Sequence, residues 1–422
     1  MHNKTTLPNG LRLITKNLPN TEAVTVLVLV GAGSRYETLE INGIAHFIEH
    51  MFFKGAKKYK NTKEVSETID GIGGDFNAFT GKEYAGYYVK VASSHTETAV
   101  DVLSDMLINA TFDPTEINKE RGVILEEYNM YQDTPMYQTG WNFESLIFGD
   151  QPIGRDQIGT KELITTVTQD QFRDYQQKLY TPDNTVICMV GNVNHDEALA
   201  LTEKYFQMAD HKKSLEHDEF SGFQTEEKIH LTTKKTEQAH LVLGFPGVSY
   251  TSPDRWASKL LSIILGGNMS SRMFLHVREQ KGLCYYVRTE TDEYTDTGTF
   301  TTRAGVDVTR VKDAIESIVH EYKIMFEDGA TQAELDKAKS YLKGKMVLRL
   351  EDSEEYAHLL GRQELLRDNI LDPEAIQNEI DKVDLEDVNR LAKQILDENK
   401  LYLCLIGPYK DKEEFSQLLK FN

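Results

Sequence analysis

The same order of strands and helices is predicted twice along this chain of 422 residues. Each copy begins with an apolar strand, at 23–30 and again at 239–245. A short helix follows each strand. Two further strands come next, at 75–80 and 84–92 in the first copy and at 285–289 and 297–304 in the second. Long amphipathic helices complete both copies. A repeated order of elements indicates an internal duplication, although the two halves share little sequence identity.

A polar, aperiodic segment separates the two copies. Residues 208–225 (MADHKKSLEHDEFSGFQT) are mostly charged or small and have no hydrophobic period. We therefore predict a first domain at 1–207, a linker at 208–225 and a second domain at 226–422. Strands followed by helices in this order predict an α+β fold of two homologous α/β-sandwich domains, each with a mixed sheet covered by helices. A chain of this length is also too long for one ordinary core.

Charge and cysteine content exclude several kinds of partner and compartment. The formal net charge of −20 excludes nucleic acid and anionic membranes as expected partners. The three cysteines are Cys188, Cys284 and Cys404; they are widely spaced and odd in number, which indicates a reducing compartment rather than a disulfide framework. The first twenty residues contain neither an apolar segment nor a cleavage site, so we expect a cytoplasmic protein.

The short helix of the first copy carries the residues best suited to chemistry. In residues 43–55 (GIAHFIEHMFFKG), helical periodicity makes one stripe apolar and puts His46, Glu49 and His50 on another face. Two histidines four residues apart can bind one metal ion, and the carboxylate beside them is free to act as a base on water. The alternative is the solvated polar face of an ordinary amphipathic helix.

A catalytic metal site of this kind needs a third protein ligand, and the sequence offers two candidates. Glu120 and Glu127 lie seven residues apart, on one face of a helix that Pro114 opens. We expect Gly122, between them, to allow a close neighbour on that side. Either glutamate could be the ligand, and either could be an ordinary surface carboxylate in a salt bridge. The residues alone do not choose between them.

With this set the chain resembles the pitrilysin/insulinase family of zinc metallopeptidases, in particular the bacterial branch related to mitochondrial processing peptidase. The family pattern is H-x-x-E-H followed by a distant glutamate, and 76 residues separate His50 from Glu127 here. The segment 120–127 (ERGVILEE) is also similar to the family's segment. The resemblance implies one zinc ion per chain, with Glu127 as the third ligand and Glu120 orienting a ligand histidine. An error of one residue in this match would assign Glu126, rather than Glu127, as the third ligand.

A second stretch is similar to the family's substrate strand. Asn77, Ala78, Phe79 and Thr80 begin the sequence NAFTGKE. The resemblance implies that an extended peptide pairs with this strand at a sheet edge and is laid across the metal. The alternative is an ordinary internal strand.

A third stretch, in the second half, resembles the family's arginine–tyrosine pair. Arg278 and Tyr285 lie seven residues apart in REQKGLCY. By resemblance the two domains face each other as a clamshell, Tyr285 stabilises the developing oxyanion and Arg278 holds the peptide backbone. Cys284 stands where the family usually has a small residue.

Together these features predict a zinc endopeptidase that cleaves unfolded peptides or presequence-like segments in a chamber between its domains. Glu49 would take a proton from water and return it to the leaving amine. The alternatives are a non-catalytic structural subunit and a peptide-binding module of the same fold. We expect an extended peptide as substrate and a homodimer as the assembly.

Overall fold

The chain forms two compact units, and each unit takes segments from both halves of the sequence. The computed structural model describes residues 2–421. The first unit joins the chain up to Tyr128 with Arg155–Asp218 and Val347–Asp372. The second unit joins Asn129–Gly154, Glu219–Met346 and the chain from Pro373 onward. The linear boundaries predicted above stay a prediction for the domains, whereas the compact units are discontinuous in sequence.

The first unit is built on a six-stranded mixed sheet in the order β1-β2-β6-β3-β5-β4. Only the β2–β6 pair is parallel among these strands; the other pairs are antiparallel. The strands are β1 (Asn3–Thr6), β2 (Arg12–Asn17), β3 (Ala23–Val30), β4 (Asp75–Thr80), β5 (Ala85–Ala92) and β6 (Thr185–Gly191). The first half of the sequence forms eight α-helices, of which α5 belongs to the second unit: α1 (Ile44–Phe52), α2 (Thr62–Asp70), α3 (Thr96–Ile108), α4 (Pro114–Asp133), α5 (Pro135–Phe148), α6 (Lys161–Thr166), α7 (Gln169–Leu179) and α8 (His195–Tyr205).

The second unit is built on a five-stranded sheet in the order β7-β11-β8-β10-β9. Its strands are β7 (Ile229–Thr233), β8 (Gln238–Pro246), β9 (Cys284–Glu293), β10 (Gly298–Asp307) and β11 (Tyr402–Gly407). Its half of the sequence also forms α9 (Arg255–Gly266), a π-helix (Phe274–Gln280), α10 (Val311–Glu327), α11 (Gln332–Arg349), α12 (Ser353–Arg367), α13 (Pro373–Lys382), α14 (Leu385–Ile395) and α15 (Glu413–Ser416).

Five strands of the first sheet have the same topology as the second sheet, as the predicted duplication requires, and β1 is an additional edge strand. Each contains one parallel pair, β2–β6 in the first sheet and β7–β11 in the second. Strands β3 and β8 are then each flanked by antiparallel neighbours, and β4 and β9 lie at the corresponding edges. The α+β class and the duplicated architecture are therefore confirmed.

Each sheet is covered on one face by a helix from the other half of the sequence. Leu360 of α12 shares a buried cluster with Cys188 of β6, and Phe143 of α5 shares one with Cys404 of β11. Burying one large apolar side chain contributes about 1.5–3 kcal/mol, so each exchanged helix stabilises the unit that receives it. The two cysteines are fully buried core residues in equivalent strands.

Candidate metal centre

Helix α1 is fixed in the first unit by its apolar face. Its buried residues recur at helical spacing and are at most 1% exposed: Ile44, Ala45, Phe47, Ile48, Met51 and Phe52. The same periodicity turns His46 and His50 away from this core, and their side chains are 15% and 22% exposed. The two rings lie with centroids 4.8 Å apart, so they face one small region of space.

The third member of this group is Glu127 of α4. Its carboxylate oxygens lie 3.6 Å from Nε2 of His46 and 3.5 Å from Nε2 of His50. Ligand atoms at about 2.0–2.2 Å from a tetrahedral zinc ion lie about 3.3–3.6 Å from one another, so the spacing fits. Among residues 2–421 this is the one group of three such side chains that can share a metal ion. Three protein ligands leave the fourth position of a tetrahedron open for water or substrate.

Glu120 contacts the opposite nitrogen of one of these histidines. Its Oε1 atom lies 2.9 Å from Nδ1 of His50, and its Oε2 atom lies 2.6 Å from Nζ of Lys54. Burial opposes the charged form of Glu120, but the hydrogen bonds from His50 and Lys54 outweigh burial and lower the pKa of its carboxyl group. A carboxylate that accepts the Nδ1 proton leaves the Nε2 lone pair directed at the metal position. Glu120 therefore lies where a carboxylate can fix the tautomer of His50, and the role that the resemblance implied for it stays a prediction.

The glutamates of α4 differ in the direction that they face, and one expectation about this helix was wrong. Glu126 is exposed, whereas Glu120 and Glu127 both face α1. Gly122 does not serve a close approach, because no described atom lies within 4 Å of the position that a Cβ would take there.

Glu49 lies between the histidine pair and strand β4. The hydroxyl group of Thr80 lies 2.5 Å from Oε2 of Glu49 and 3.3 Å from the carbonyl oxygen of Ala45. This contact fixes the carboxylate of Glu49 against the end of β4. The sequence did not reveal it, since Thr80 and Glu49 are 31 residues apart and meet only because α1 packs on this strand.

Strand β4 is the outermost strand of its sheet and pairs with β5 alone among the described strands. Its side chains alternate between the two faces. Phe76 contacts Phe53 near α1, with ring centroids 5.8 Å apart, whereas Phe79 packs on His358 of α12 at 5.0 Å. The free edge of β4 is thus available for backbone pairing, and Phe79 lies on the face turned away from α1.

A cavity of about 280 Å³ lies between α1 and β4. Two phenylalanine rings form part of its wall, and the rest is made of charged, polar and small side chains. The lining residues are Glu49, His50, Phe53, Lys54, Phe76, Asn77, Ala78 and Glu120. Asn77 and Ala78 of the predicted substrate strand therefore border the same cavity as the predicted base.

Arg278 and Tyr285 belong to the second unit and are described there by themselves. Arg278 lies on the π-helix, with its guanidinium carbon 4.6 Å from the centre of the Phe274 ring. Tyr285 follows Cys284 at the start of the edge strand β9, and 75% of its surface is exposed. Burial raises the pKa of the half-buried Cys284 thiol to about 11, so this thiol is not activated. The predicted roles of Arg278 and Tyr285 stay predictions.

Comparison with protein families gives two matches that follow each other along the chain. A family model described as "Insulinase (Peptidase family M16)" matches residues 12–161, and one described as "Peptidase M16 inactive domain" matches residues 166–342. The first match contains all of the residues assembled around α1. The second covers the start of the copy in which no comparable ligand group is found among the described residues.

Curated relatives are similar over nearly their whole length. An uncharacterized zinc protease of Bacillus subtilis is 40% identical, over 96% of this chain and 97% of its own length. An uncharacterized zinc protease of Mycobacterium leprae is 37% identical, over 99% of this chain and 94% of its own length.

Two solved structures share the fold at low sequence identity. A protease from Helicobacter pylori is 23% identical with a TM-score of 0.86, and covers 97% of this chain and 99% of its own. A peptidase M16 inactive domain from Pseudomonas fluorescens is 19% identical with a TM-score of 0.89, and covers 97% and 98%. Separately, no helix within residues 2–421 has the length and apolarity needed to cross a membrane.

Proposed function

Because this chain belongs to the insulinase family of peptidases, peptidase family M16, we propose that it is a zinc-dependent endopeptidase that cleaves extended, unfolded peptides. The observation that carries the proposal is the convergence of three ligand atoms beside an unpaired strand edge. The Nε2 atoms of His46 and His50 and the carboxylate of Glu127 would hold one zinc ion per chain. A zinc ion in such a site makes water acidic near neutral pH and polarises a carbonyl group.

The residues around the proposed ligands transfer the proton and orient the reacting groups. Glu49 takes the proton from the attacking water and returns it to the leaving amine. Thr80 orients Glu49 through its hydroxyl contact, and Glu120 keeps His50 in the tautomer that can bind metal. All of these groups are provided by α1, α4 and the end of β4, so the first unit contains the proposed metal ligands, the base and the residues that orient them.

Substrate binding rests on the edge of β4. An extended peptide can add to this edge through main-chain hydrogen bonds, which demand little of its sequence. The cavity between α1 and β4 is large enough for a side chain of that peptide, and Phe53 and Phe76 make part of its wall apolar. A folded protein offers no free strand to this edge, which is why we propose unfolded segments, including presequence-like ones, as substrates.

A hydrolysis experiment tests the proposal. The purified protein is incubated with a library of unstructured peptides, and the products are identified by mass spectrometry with and without a zinc chelator. We expect cleavage that the chelator abolishes and that added zinc restores. The Glu49→Gln variant should retain zinc, measured by elemental analysis, and lose cleavage.

The same experiment separates the enzyme from its alternatives. A non-catalytic subunit or a peptide-binding module of this fold would leave the library intact at any zinc concentration. Cleavage by Glu49→Gln at the wild-type rate would refute the role of Glu49 as the base. The Arg278→Ala and Tyr285→Phe variants test the two residues of the second unit, and both should lower kcat/KM if their predicted roles are right.

A further inference from the structure

The buried carboxylate of Glu37, a residue outside α1, accepts hydrogen bonds from the backbone at the start of this helix. The first turn of a helix has backbone N–H groups without partners inside the helix. Here Oε2 of Glu37 accepts from the amide of Gly43 at 2.7 Å, and Oε1 accepts from the amide of Ala45 at 2.8 Å. The side-chain amide of Asn42 donates to the same Oε2 atom at 2.9 Å. We propose that Glu37 is a positioning residue that sets the orientation of α1 and, through it, the metal ligands His46 and His50.

The position that usually caps a helix cannot do so in this chain. Gly43 has a φ of 108°, in the left-handed region that favours glycine. A Cβ atom at Gly43 would lie 2.6 Å from the carbonyl oxygen of Ile158 and 2.8 Å from the Cα atom of Gly159. Serine, threonine, aspartate and asparagine are therefore excluded from this site, although they are the side chains that cap best. The acceptor has to come from elsewhere, and Glu37 supplies it.

Glu37 is itself tied to the turn that follows the substrate strand. Its neighbour Arg35 forms a buried ion pair with Glu83, with the two charged atoms 2.7 Å apart. The amide of Arg35 also donates to the carbonyl oxygen of Lys82 at 2.9 Å. Residues 82 and 83 lie two and three positions after Thr80, the last residue of β4. One short segment thus connects the start of the metal helix to the end of the strand that contacts Glu49.

Burial makes this arrangement costly, which argues that it is not an incidental contact. Glu37 is 2% exposed, and its burial raises the pKa of its carboxyl group to about 7 against the effect of the amides of Ala45 and Gly43. A neutral glutamine in the same place would turn an N–H group toward one of the two amides, so only a carboxylate accepts at both positions. The buried carboxylate of Glu37 loses its hydration, but it accepts hydrogen bonds from both amides and so fixes the start of α1.

The test compares two buried carboxylates of the first unit. Glu37→Gln removes the cap, and the control Glu364→Gln alters a 1%-exposed glutamate of α12 that contacts Lys4 and Arg12 far along the chain from α1. In metal-free protein, amide hydrogen exchange of the peptide covering 43–52 should become about tenfold faster in Glu37→Gln only. The zinc dissociation constant, measured by competition with a chromophoric chelator, should rise by about tenfold in the same variant.

Each outcome bears on the proposal. Unchanged hydrogen exchange and unchanged zinc affinity in Glu37→Gln would overturn the proposal. Equally faster exchange and equally weaker zinc binding in Glu364→Gln would also overturn it, because they would indicate general destabilisation. If Glu37→Gln fails to fold, Asn42→Ala loosens Glu37 by removing one donor and should speed exchange in the same peptide by a smaller factor. The proposal rests on the proposed zinc function only for the affinity measurement; failure of the wild-type protein to bind zinc would refute that function and leave the exchange result to decide the role of Glu37.

Discussion

Replacing Glu120 with glutamine tests whether the carboxylate behind His50 controls the metal site. The variant keeps the size of the side chain and removes the charge that lies 2.9 Å from Nδ1 of His50 and 2.6 Å from the ammonium group of Lys54. Solvent does little to screen these contacts, because the Glu120 side chain is only 6% exposed. Loss of a partner of this kind weakens metal binding by about 10–100-fold, or about 1.4–2.8 kcal/mol. We therefore expect the zinc dissociation constant of Glu120→Gln to rise by that factor.

The assay is competition between the protein and a chelator of known affinity, followed by absorbance at fixed pH and ionic strength. The matched control is Glu126→Gln, which makes the same chemical change on the exposed face of the same helix. It should bind zinc as the wild type does, whereas Glu127→Gln should lose a ligand and bind far more weakly than Glu120→Gln. If Glu120→Gln binds zinc within threefold of wild type, the reasoning about the His50 tautomer is refuted. A large effect in Glu126→Gln would mean that the helix register is wrong.

Four further predictions concern the proposed base, the exchanged helix α12 and the second unit. Thr80→Val removes the hydroxyl group that contacts the proposed base and should lower kcat by on the order of tenfold with KM unchanged; a kcat within twofold of wild type would contradict this. Gly361→Ala on α12 forces a Cβ to within 2.6 Å of one core side chain and 3.0 Å of another, and should lower the free energy of unfolding by about 1–3 kcal/mol in urea titrations. Gly344→Ala on α11 meets no described atom within 4 Å and should raise it by about 0.5–1 kcal/mol. Burial raises the pKa of the Glu334 carboxyl group, but the hydrogen bonds from Arg272 and Thr331 outweigh burial and lower this pKa to about 2. Because solvent screens this partly exposed group, Glu334→Gln should lower the free energy of unfolding by only on the order of 1 kcal/mol at neutral pH. That difference is present above pH 4.5 and should vanish as pH falls toward 2, as unfolding measured at several pH values will show.

The reactive residues could be predicted from the sequence because their chemistry depends on short spacings. His46, Glu49 and His50 share a face through helical periodicity alone, and this needs no knowledge of the fold. The third ligand was different, since Glu120 and Glu127 are both presented by one face of α4. Only the packing of α4 against α1 shows that Glu120 contacts Nδ1 of His50 while Glu127 contacts Nε2. The resemblance assigned different roles to the two glutamates, whereas helical spacing alone could not distinguish them.

Strands with a simple pattern were also predicted well. The bounds of β3 and β4, 23–30 and 75–80, agree with the structure residue for residue. Strand β3 is a continuous apolar run buried in the sheet. The side chains of β4 alternate between the face toward α1 and the face toward α12. The edge strands β1 and β7 were missed, because short polar strands of this kind have no apolar period and are held mainly by backbone hydrogen bonds to a neighbour.

The exchange of helices between the halves could not be predicted, for a related reason. Amphipathic periodicity says that α12 has a face to bury, but it does not say which sheet will cover that face. Both sheets present equivalent apolar strands, β6 and β11, with a cysteine at the same position. The choice depends on where the chain leaves α11, which is a property of the whole fold. Helix α5 was not predicted at all, and it occupies the corresponding place on the second sheet.

The duplication indicates what the metal site is for. Helices α1 and α9 follow equivalent strands and each contacts the edge strand of its sheet, β4 or β9. Helix α9 (RWASKLLSIILG) contains no histidine, cysteine, aspartate or glutamate, and its residues Leu260–Gly266 are buried. Within the described residues, the second copy reaches the corresponding strand order without a comparable group of three ligand side chains. We therefore expect the first copy to fold without metal as well. The partly exposed side chains of His46, His50 and Glu127 beside the edge strand β4 then fit the proposed catalytic role better than a structural one, since structural zinc sites are closed by four protein ligands.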